Sequence, residues 1–323
     1  MAYQLTADER EIIEALKRHE QELGLSQEQF AQRHLSYSAT TWSRLKDGSY
    51  FEKIDGADKL FEALAADLRQ IETSRLAEQR YGAREFFEHT DARLVLRAVG
   101  ECRAKPLSDS NRLIVYLAPT GGGKSALCGR LRREGARIVE ARESWQRSYF
   151  SCLRDIAAAI SVPVRDEYSP DRLEESILRR LNSKRHVLVV DEGEFFGART
   201  LNLLKLILNK STAVVVLCAI PEPYDKWNRK DWHEAQQLRR RTHALVRLEP
   251  CTSATAKLFL KGISTEEGAL TAAAAFARTF GGFNTLQELR DELEGQERVS
   301  REELVKAGNR IRARRGLEKI LEK

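Results

Sequence analysis

Two short stretches hold the residue types that phosphate chemistry needs. In Ala118-Pro-Thr-Gly-Gly-Gly-Lys-Ser125, three glycines run into a lysine and a serine. Glycines lack a Cβ, so Gly121, Gly122 and Gly123 let backbone N–H groups curl around an anion. Lys124 can reach the terminal phosphates of a nucleotide, and Ser125 can ligate Mg²⁺. The loop from Thr120 through Ala126 is thus the expected ATP site, with Ala118 standing where the usual pattern has its first glycine. The second stretch, His186-Val-Leu-Val-Val-Asp-Glu192, ends an apolar run in two acids. Asp191 is expected to hold Mg²⁺ with Ser125, and Glu192 to activate the attacking water.

Such residues work only if other elements bring them together. Leu113 to Leu117 reads as a buried strand, and a helix over 126–133 follows the glycines, pointing its positive dipole end at the anion. A strand over 137–141, helices over 145–160 and 171–181, and the strand ending at Asp191 come next. A helix over 199–208 and strands over 213–219 and 244–248 complete a βα alternation. Alternation of this kind predicts an α/β fold, a parallel sheet flanked by helices. Gln237-Leu-Arg-Arg-Arg241 precedes the last strand, and Arg241, then Arg240, is the candidate arginine finger for a neighbouring subunit's γ-phosphate.

The first eighty residues differ in character. Thr6-Ala-Asp-Glu9 and Ser26-Gln-Glu-Gln29 are capping boxes, each followed by apolar residues at helical spacing. A turn around 35–38 leads to Thr40-Thr-Trp-Ser-Arg-Leu-Lys46, closed by Asp47-Gly48. The stretch resembles the repressor-like helix-turn-helix family. That resemblance implies that Ser38, Thr40, Thr41 and Arg44 face DNA; the alternative is a helical protein-interaction module. The family's frequent turn glycine is replaced by Leu35. An apolar stripe (Leu60, Phe61, Leu64, Leu68, Ile71) then marks a linker helix, with a domain boundary between about 80 and 90.

Bulk properties set outer bounds. The 323 residues are 42 % hydrophobic and 32 % charged, with a net charge of +6, which permits a nucleic-acid partner without requiring one. No apolar run is long enough to span a membrane, and the acidic start lacks a signal-peptide core, so a cytoplasmic protein is expected. Five scattered cysteines with no C-x-x-C pair predict reduced, mostly buried thiols rather than a disulfide framework or a zinc site.

The order of these parts resembles the AAA+ ATPase family, and within it the Mu B, TnsC and TniB type of transposon target-selection ATPases. The resemblance implies three regions: a helix-turn-helix and linker helix over 1–80, an AAA+ core over 81–250, and a helical C-terminal lid over 251–323. It implies an ATP- and Mg²⁺-dependent ATPase that binds duplex DNA with little sequence preference and assembles into a helical filament or ring. Such a protein delivers target DNA to its transposase and activates it. Arg142, Trp145 and Arg147 are then candidates for contacts to DNA phosphates. Two departures from that family stand out. The polar sensor position falls on Ala219-Ile220-Pro221, and Phe283-Asn284-Thr285 replaces a sensor arginine. Slow, partner- or DNA-stimulated hydrolysis is expected. A helicase-loader ATPase and an ATP-switched DNA-binding regulator share the same parts.

Overall fold

A computed structural model describes residues 3–51, 57–80, 86–162, 164, 169–227, 233–296 and 298–318. In chain order the elements begin with helices α1 (Ala7–Glu22), α2 (Gln27–His34), α3 (Ala39–Asp47), α4 (Asp58–Arg80) and α5 (Thr90–Ala104). Strand β1 (Leu113–Leu117), α6 (Lys124–Arg133), β2 (Arg137–Glu140), α7 (Ser144–Arg147), α8 (Tyr149–Ala159), α9 (Pro170–Ser183) and β3 (Val187–Asp191) follow. Next come α10 (Ala198–Lys210), β4 (Val214–Ala219), α11 (Pro221–Trp227), α12 (His233–Arg239) and β5 (Thr242–Arg247). The chain closes with α13 (Ser253–Phe259), β6 (Ser264–Thr265), α14 (Glu267–Thr279), α15 (Phe283–Glu292), β7 (Arg298–Val299) and α16 (Arg301–Arg314).

The expected parallel sheet is present, with strand order β2-β3-β4-β1-β5. Strand β1 lies between β4 and β5 and pairs parallel with both, Leu113 opposite Val215 and Leu117 opposite Ala219 on one side. Every residue of β1, β3 and β4 is buried, which is why these strands read as unbroken apolar runs. Strand β5 forms an edge and leaves Leu245 exposed. The two-residue strands β6 and β7 pair in parallel and are too short to leave a periodic signal in sequence. No helix among the described residues is long and apolar enough to cross a membrane.

The chain divides into two compact units. One holds residues 1–85, 130–189 and 195–213; the other holds 86–129, 190–194 and 214–323. Part of the predicted boundary, around Tyr81-Gly82, lies outside the described residues.

In the first unit, both N-terminal capping boxes form: Thr6 and Glu9, and Ser26 and Gln29, bond reciprocally. Leu35 is extended (φ −101°, ψ 153°) and fully buried, so the connection between α2 and α3 needs no glycine. Trp42 and Phe30 pack in the core of these helices, and the Trp42 indole N–H donates to Glu20 at 2.9 Å. The helix expected over 145–160 is split. Ser148 is extended and its hydroxyl accepts from the Ser151 N–H, so it ends α7 and caps α8.

One cluster ties these helices to the α/β part of the same unit. The carboxylate of Asp67, fully buried on α4, accepts from the Ser36 N–H (2.5 Å) and hydroxyl (2.8 Å). Arg137 of β2, 3 % exposed, faces it at 3.9 Å and donates to the His34 carbonyl. Arg180 donates to the Ser36 carbonyl, and Lys184 to the carbonyls of Ala31, Gln32 and Leu35. The ammonium thus satisfies carbonyls at the end of α2, where the helix dipole is negative. Burial, and then the charges of Arg137 and Arg180, push Lys184 down to about 7. Three cations therefore share one carboxylate, and backbone carbonyls carry the rest. Asp67→Ala leaves Arg137 buried without its carboxylate and is expected to cost about 3–5 kcal/mol in urea unfolding. Pairing it with Arg137→Met should recover most of that loss; a single variant of unchanged stability would contradict this account.

In the second unit, α13 to α16 enclose a separate apolar core around Phe259, Phe276, Leu286, Leu289 and Leu304. Gly308 permits it, since a Cβ there would stand 2.4 Å from the Phe276 ring. Ser300 and Glu303 form a capping box at the start of α16. The basic face of α16 is paired: Arg310 and Arg314 bond Glu292, and Arg315 bonds Glu288.

Candidate functional site

The loop after β1 is shaped for an anion by its own packing. Gly121 and Gly123 adopt φ of +77° and +80°, a region that side chains disfavour. A Cβ on Gly121 would lie 2.2 Å from the Gly281 carbonyl oxygen. A Cβ on Gly122 would meet the Ala118 Cβ, the Leu248 side chain and the Pro119 carbonyl, each at 2.9 Å. The Ala118 methyl, where the usual motif has glycine, is accommodated because Gly122 leaves it room. Tyr116, buried in β1, donates its hydroxyl to the Gly122 carbonyl at 3.1 Å and braces the turn from below. From the other side the Phe283 N–H donates to the Gly121 carbonyl at 2.9 Å. The Gly281–Phe283 segment at the start of α15 therefore rests directly on the loop.

Lys124 and Ser125 open α6. The Lys124 ammonium, 7 % exposed, donates to the carbonyls of Ala118 (3.1 Å) and Pro119 (3.4 Å). The Ser125 hydroxyl is 3.4 Å from an Asp191 carboxylate oxygen. The structure thus brings Lys124, Ser125 and Asp191 together in one unit with the glycines, with Thr120 and Ala126 exposed at the loop's rim. Burial raises the Asp191 carboxyl, opposed by the Glu192 N–H, which donates at 3.0 Å, and by the Lys124 charge. A divalent cation would remove that burial cost, since Asp191 and the Ser125 hydroxyl are both hard oxygen donors. The glycine cradle, the cation beside it and this oxygen pair fit a nucleotide with Mg²⁺.

Glu192 follows in a left-handed conformation, φ +55°, unusual for a residue with a side chain. Its carboxyl is raised, first by burial and then by a hydrogen bond to Glu194 and the charges of Glu194 and Asp191. Glu194 itself accepts from the Ile220 N–H, just past β4, at 3.3 Å. Its sequence signal is its place in the acidic run Asp191-Glu-Gly-Glu194, which local spacing alone does not tie to the site. Gly193 lets the chain run close against β4 here, because a Cβ would lie 2.5 Å from the Leu217 side chain and 3.0 Å from the Cys218 carbonyl oxygen. The end of β4, which carries no polar side chain, thus presents a backbone donor to a carboxylate.

The other predicted residues lie apart from this cluster. Arg240 is exposed, and Arg241 is half-buried with its guanidinium donating to the Gln237 carbonyl at 2.8 Å. On α3, Thr40 and Arg44 are exposed, whereas Ser38 and Thr41 bond each other as the helix cap. Arg142 and Arg147 are exposed, Arg142 paired with Asp155. Trp145 requires a correction as a DNA contact. It is 1 % exposed, its indole N–H donates to Asp155 at 2.7 Å, and its ring packs edge-on against Phe196. An indole held in this way anchors α7 and leaves the surface to the two arginines.

Comparison with known proteins adds a family. Residues 107–226 match the family described as AAA domain. No curated protein matches the chain in sequence. Similar solved structures include the Aeropyrum pernix Orc1 protein in complex with DNA, at 20 % identity and a TM-score of 0.46, over 70 % of this chain and 65 % of that one. A Thermotoga maritima RuvB mutant is similar at 16 % identity and a TM-score of 0.39, over 67 % of this chain and 69 % of that one. The A. pernix Orc2 protein in ADPNP–ADP complexes is similar at 13 % identity and a TM-score of 0.43, over 68 % of this chain and 65 % of that one. The chain therefore spans just under two thirds of the Orc1 chain. The family match begins ahead of β1 and ends within α11, so it includes the glycine loop and both acids. Over residues 107–226 the chain thus matches the AAA domain family, and its five-stranded parallel sheet flanked by helices is that of the P-loop NTPase fold.

Proposed function

We propose that this chain is an AAA+ ATPase that binds ATP with Mg²⁺, hydrolyses it slowly, and uses the nucleotide to control assembly on duplex DNA. The observation that carries the reading is the meeting of Lys124, Ser125 and Asp191 at the glycine loop, with Glu192 beside them. Backbone N–H groups of 121–125 would cradle the phosphates, and Lys124 would leave its two carbonyls to bind them. Ser125 and Asp191 would hold Mg²⁺, which neutralises charge on the phosphates when bound. Glu192 would accept the proton of the attacking water. Arg240 or Arg241 from a neighbouring copy would supply the remaining positive charge.

Glu192 is pushed up to about 7. A base must be ionised to accept a proton, so kcat/KM for ATP is expected to climb as pH rises through about 7. Glu194→Gln removes a negative neighbour and should move that midpoint downward. A profile without an inflection between about pH 5 and 9 would show that Glu192 is not the titrating base.

Slow hydrolysis fits a site whose sensor positions carry no polar side chain at the end of β4 and no arginine at 283–285. The segment at Gly281–Phe283 touches the phosphate loop, so occupancy of the loop bears on the lid directly. DNA contact by Thr40, Arg44, Arg142 and Arg147 would be made through phosphates, sequence-tolerant and sensitive to salt. The role in transposition, with a transposase as partner, rests on the resemblance in domain order.

Electron microscopy of the full chain with ATP and random duplex DNA tests this reading. Continuous helical filaments are expected with ATP and their loss with ADP. Absence of filaments in every nucleotide state would overturn target capture by assembly and favour an operator-reading regulator, which should instead show a large ratio of specific to non-specific affinity.

A further inference from the structure

Beneath the phosphate loop lie two thiols that nucleotide chemistry does not use. Cys128 belongs to α6, the helix that Lys124 and Ser125 open, and Cys218 to β4. Their sulfurs are 3.9 Å apart. Both sulfurs and a carboxylate oxygen of Asp191 lie within 4.8 Å of one another. All three residues are buried, and the Ser125 hydroxyl, 3.4 Å from Asp191, adds a fourth oxygen or sulfur donor on the exposed side.

The spacing suits a particular kind of ion. Two thiolates bound tetrahedrally at about 2.3 Å from a zinc ion stand about 3.8 Å from each other. The observed sulfur separation, 3.9 Å, is within about 0.2 Å of that. Two sulfurs with one carboxylate select Zn²⁺ and its thiophilic analogues over Mg²⁺, which takes six oxygens in an octahedron. Charge also fits. Two thiolates and a carboxylate buried together repel one another, but a divalent cation offsets most of that charge and the Lys124 ammonium adds to it. Ordinary packing of two small side chains between a helix and a strand would explain the burial. What sets the cluster apart is that one carboxylate lies within reach of both sulfurs at once.

We propose that Cys128, Cys218 and Asp191, with Ser125 as fourth ligand, form a second cation site for a thiophilic divalent ion of the Zn²⁺ class. Binding releases both thiol protons to solvent and involves no change of oxidation state. The proposal rests on the reading of Asp191 and Ser125 as the Mg²⁺ ligands. An ion held by the thiols takes those two oxygens away from Mg²⁺, so it is an inhibitor that competes with Mg·ATP and keeps the loop free of nucleotide.

The test uses the full chain, reduced with a phosphine and free of nucleotide, titrated with Co²⁺. One equivalent should produce a thiolate-to-cobalt charge-transfer band and the intense visible bands of a tetrahedral ion. Cys128→Ser with Cys218→Ser should lose the charge-transfer band, whereas Cys102→Ser, Cys152→Ser and Cys251→Ser together should keep it. Zn²⁺ should raise the apparent Kd of a fluorescent ATP analogue with Mg²⁺ at least tenfold in the unaltered chain and not in the Cys128/Cys218 variant. X-ray absorption at the zinc edge of the unaltered chain needs no variant and should show two sulfurs at about 2.3 Å. Absence of the charge-transfer band, its survival in the Cys128/Cys218 variant, or a zinc shell without two sulfurs would overturn the site. Mg²⁺-dependent binding of the ATP analogue, measured without Zn²⁺, is independent of these readouts. If it is present while the cobalt band is absent, the thiol site alone fails; if it is absent in the unaltered chain, the nucleotide reading fails.

Discussion

Lys124→Ala is expected to raise the Kd for Mg·ATP by about 100-fold or more. A charge-assisted hydrogen bond is worth about 1.5–3 kcal/mol, and this ammonium would serve two phosphates at once. The other donors of the loop, its backbone N–H groups and the Thr120 and Ser125 hydroxyls, carry no net charge. The fold should tolerate the change. The two carbonyls that lose the ammonium belong to Ala118 and Pro119, and Pro119 lies on the exposed side of the loop, so about 1 kcal/mol of stability is at stake. Isothermal calorimetry with ATP and Mg²⁺, alongside urea unfolding, separates the two effects. A folded variant with unchanged affinity would remove the loop from nucleotide binding. Filaments on DNA should disappear with the affinity.

Glu192→Gln is expected to lower kcat for ATP hydrolysis by about 10²–10⁴-fold, the usual contribution of a positioned base, while nucleotide affinity stays within a few-fold. Glutamine keeps the shape and can still donate a hydrogen bond to Glu194, so the left-handed turn at Glu192 has no reason to relax. The amide cannot take a proton from water. Single-turnover hydrolysis measures the chemical step directly, and ATP-bound filaments should outlive those of the unaltered chain. A variant with full kcat would point to Glu194, which lies beside it and is held by the Ile220 N–H.

Much of the candidate nucleotide site is legible in the sequence because its parts are local. The apolar run of β1, the glycines and Lys124-Ser125 are contiguous, and steric freedom at glycine does not depend on distant residues. The caps at Thr6, Ser26 and Ser300 are equally local, since each needs only a partner three residues on. Legibility failed where a side chain's fate was set from elsewhere. Trp145 is a candidate DNA contact by its place between two arginines, yet Asp155 and Phe196 draw it inward. Ser148 looked like one more residue in a helix, yet its hydroxyl ends one helix and starts another. Leu35 looked awkward in a turn until its extended backbone and burial were seen. The arginines at the end of α16 are likewise held from elsewhere, by Glu288 and Glu292.

What the sequence determined by itself is a parallel α/β core with a phosphate loop and two acids at a strand's end, because runs of apolar β-formers and glycine sterics act over a few residues. What only the tertiary structure decided is which distant groups share a space. Asp67 meets Arg137, Glu194 reaches the backbone beyond β4, and Phe283 rests on Gly121. Cys128 and Cys218, 90 positions apart, stand in sulfur contact beside Asp191. No spacing rule for metal ligands reaches that far along a chain, because the register of a helix against a strand is fixed by packing, which composition and periodicity do not encode.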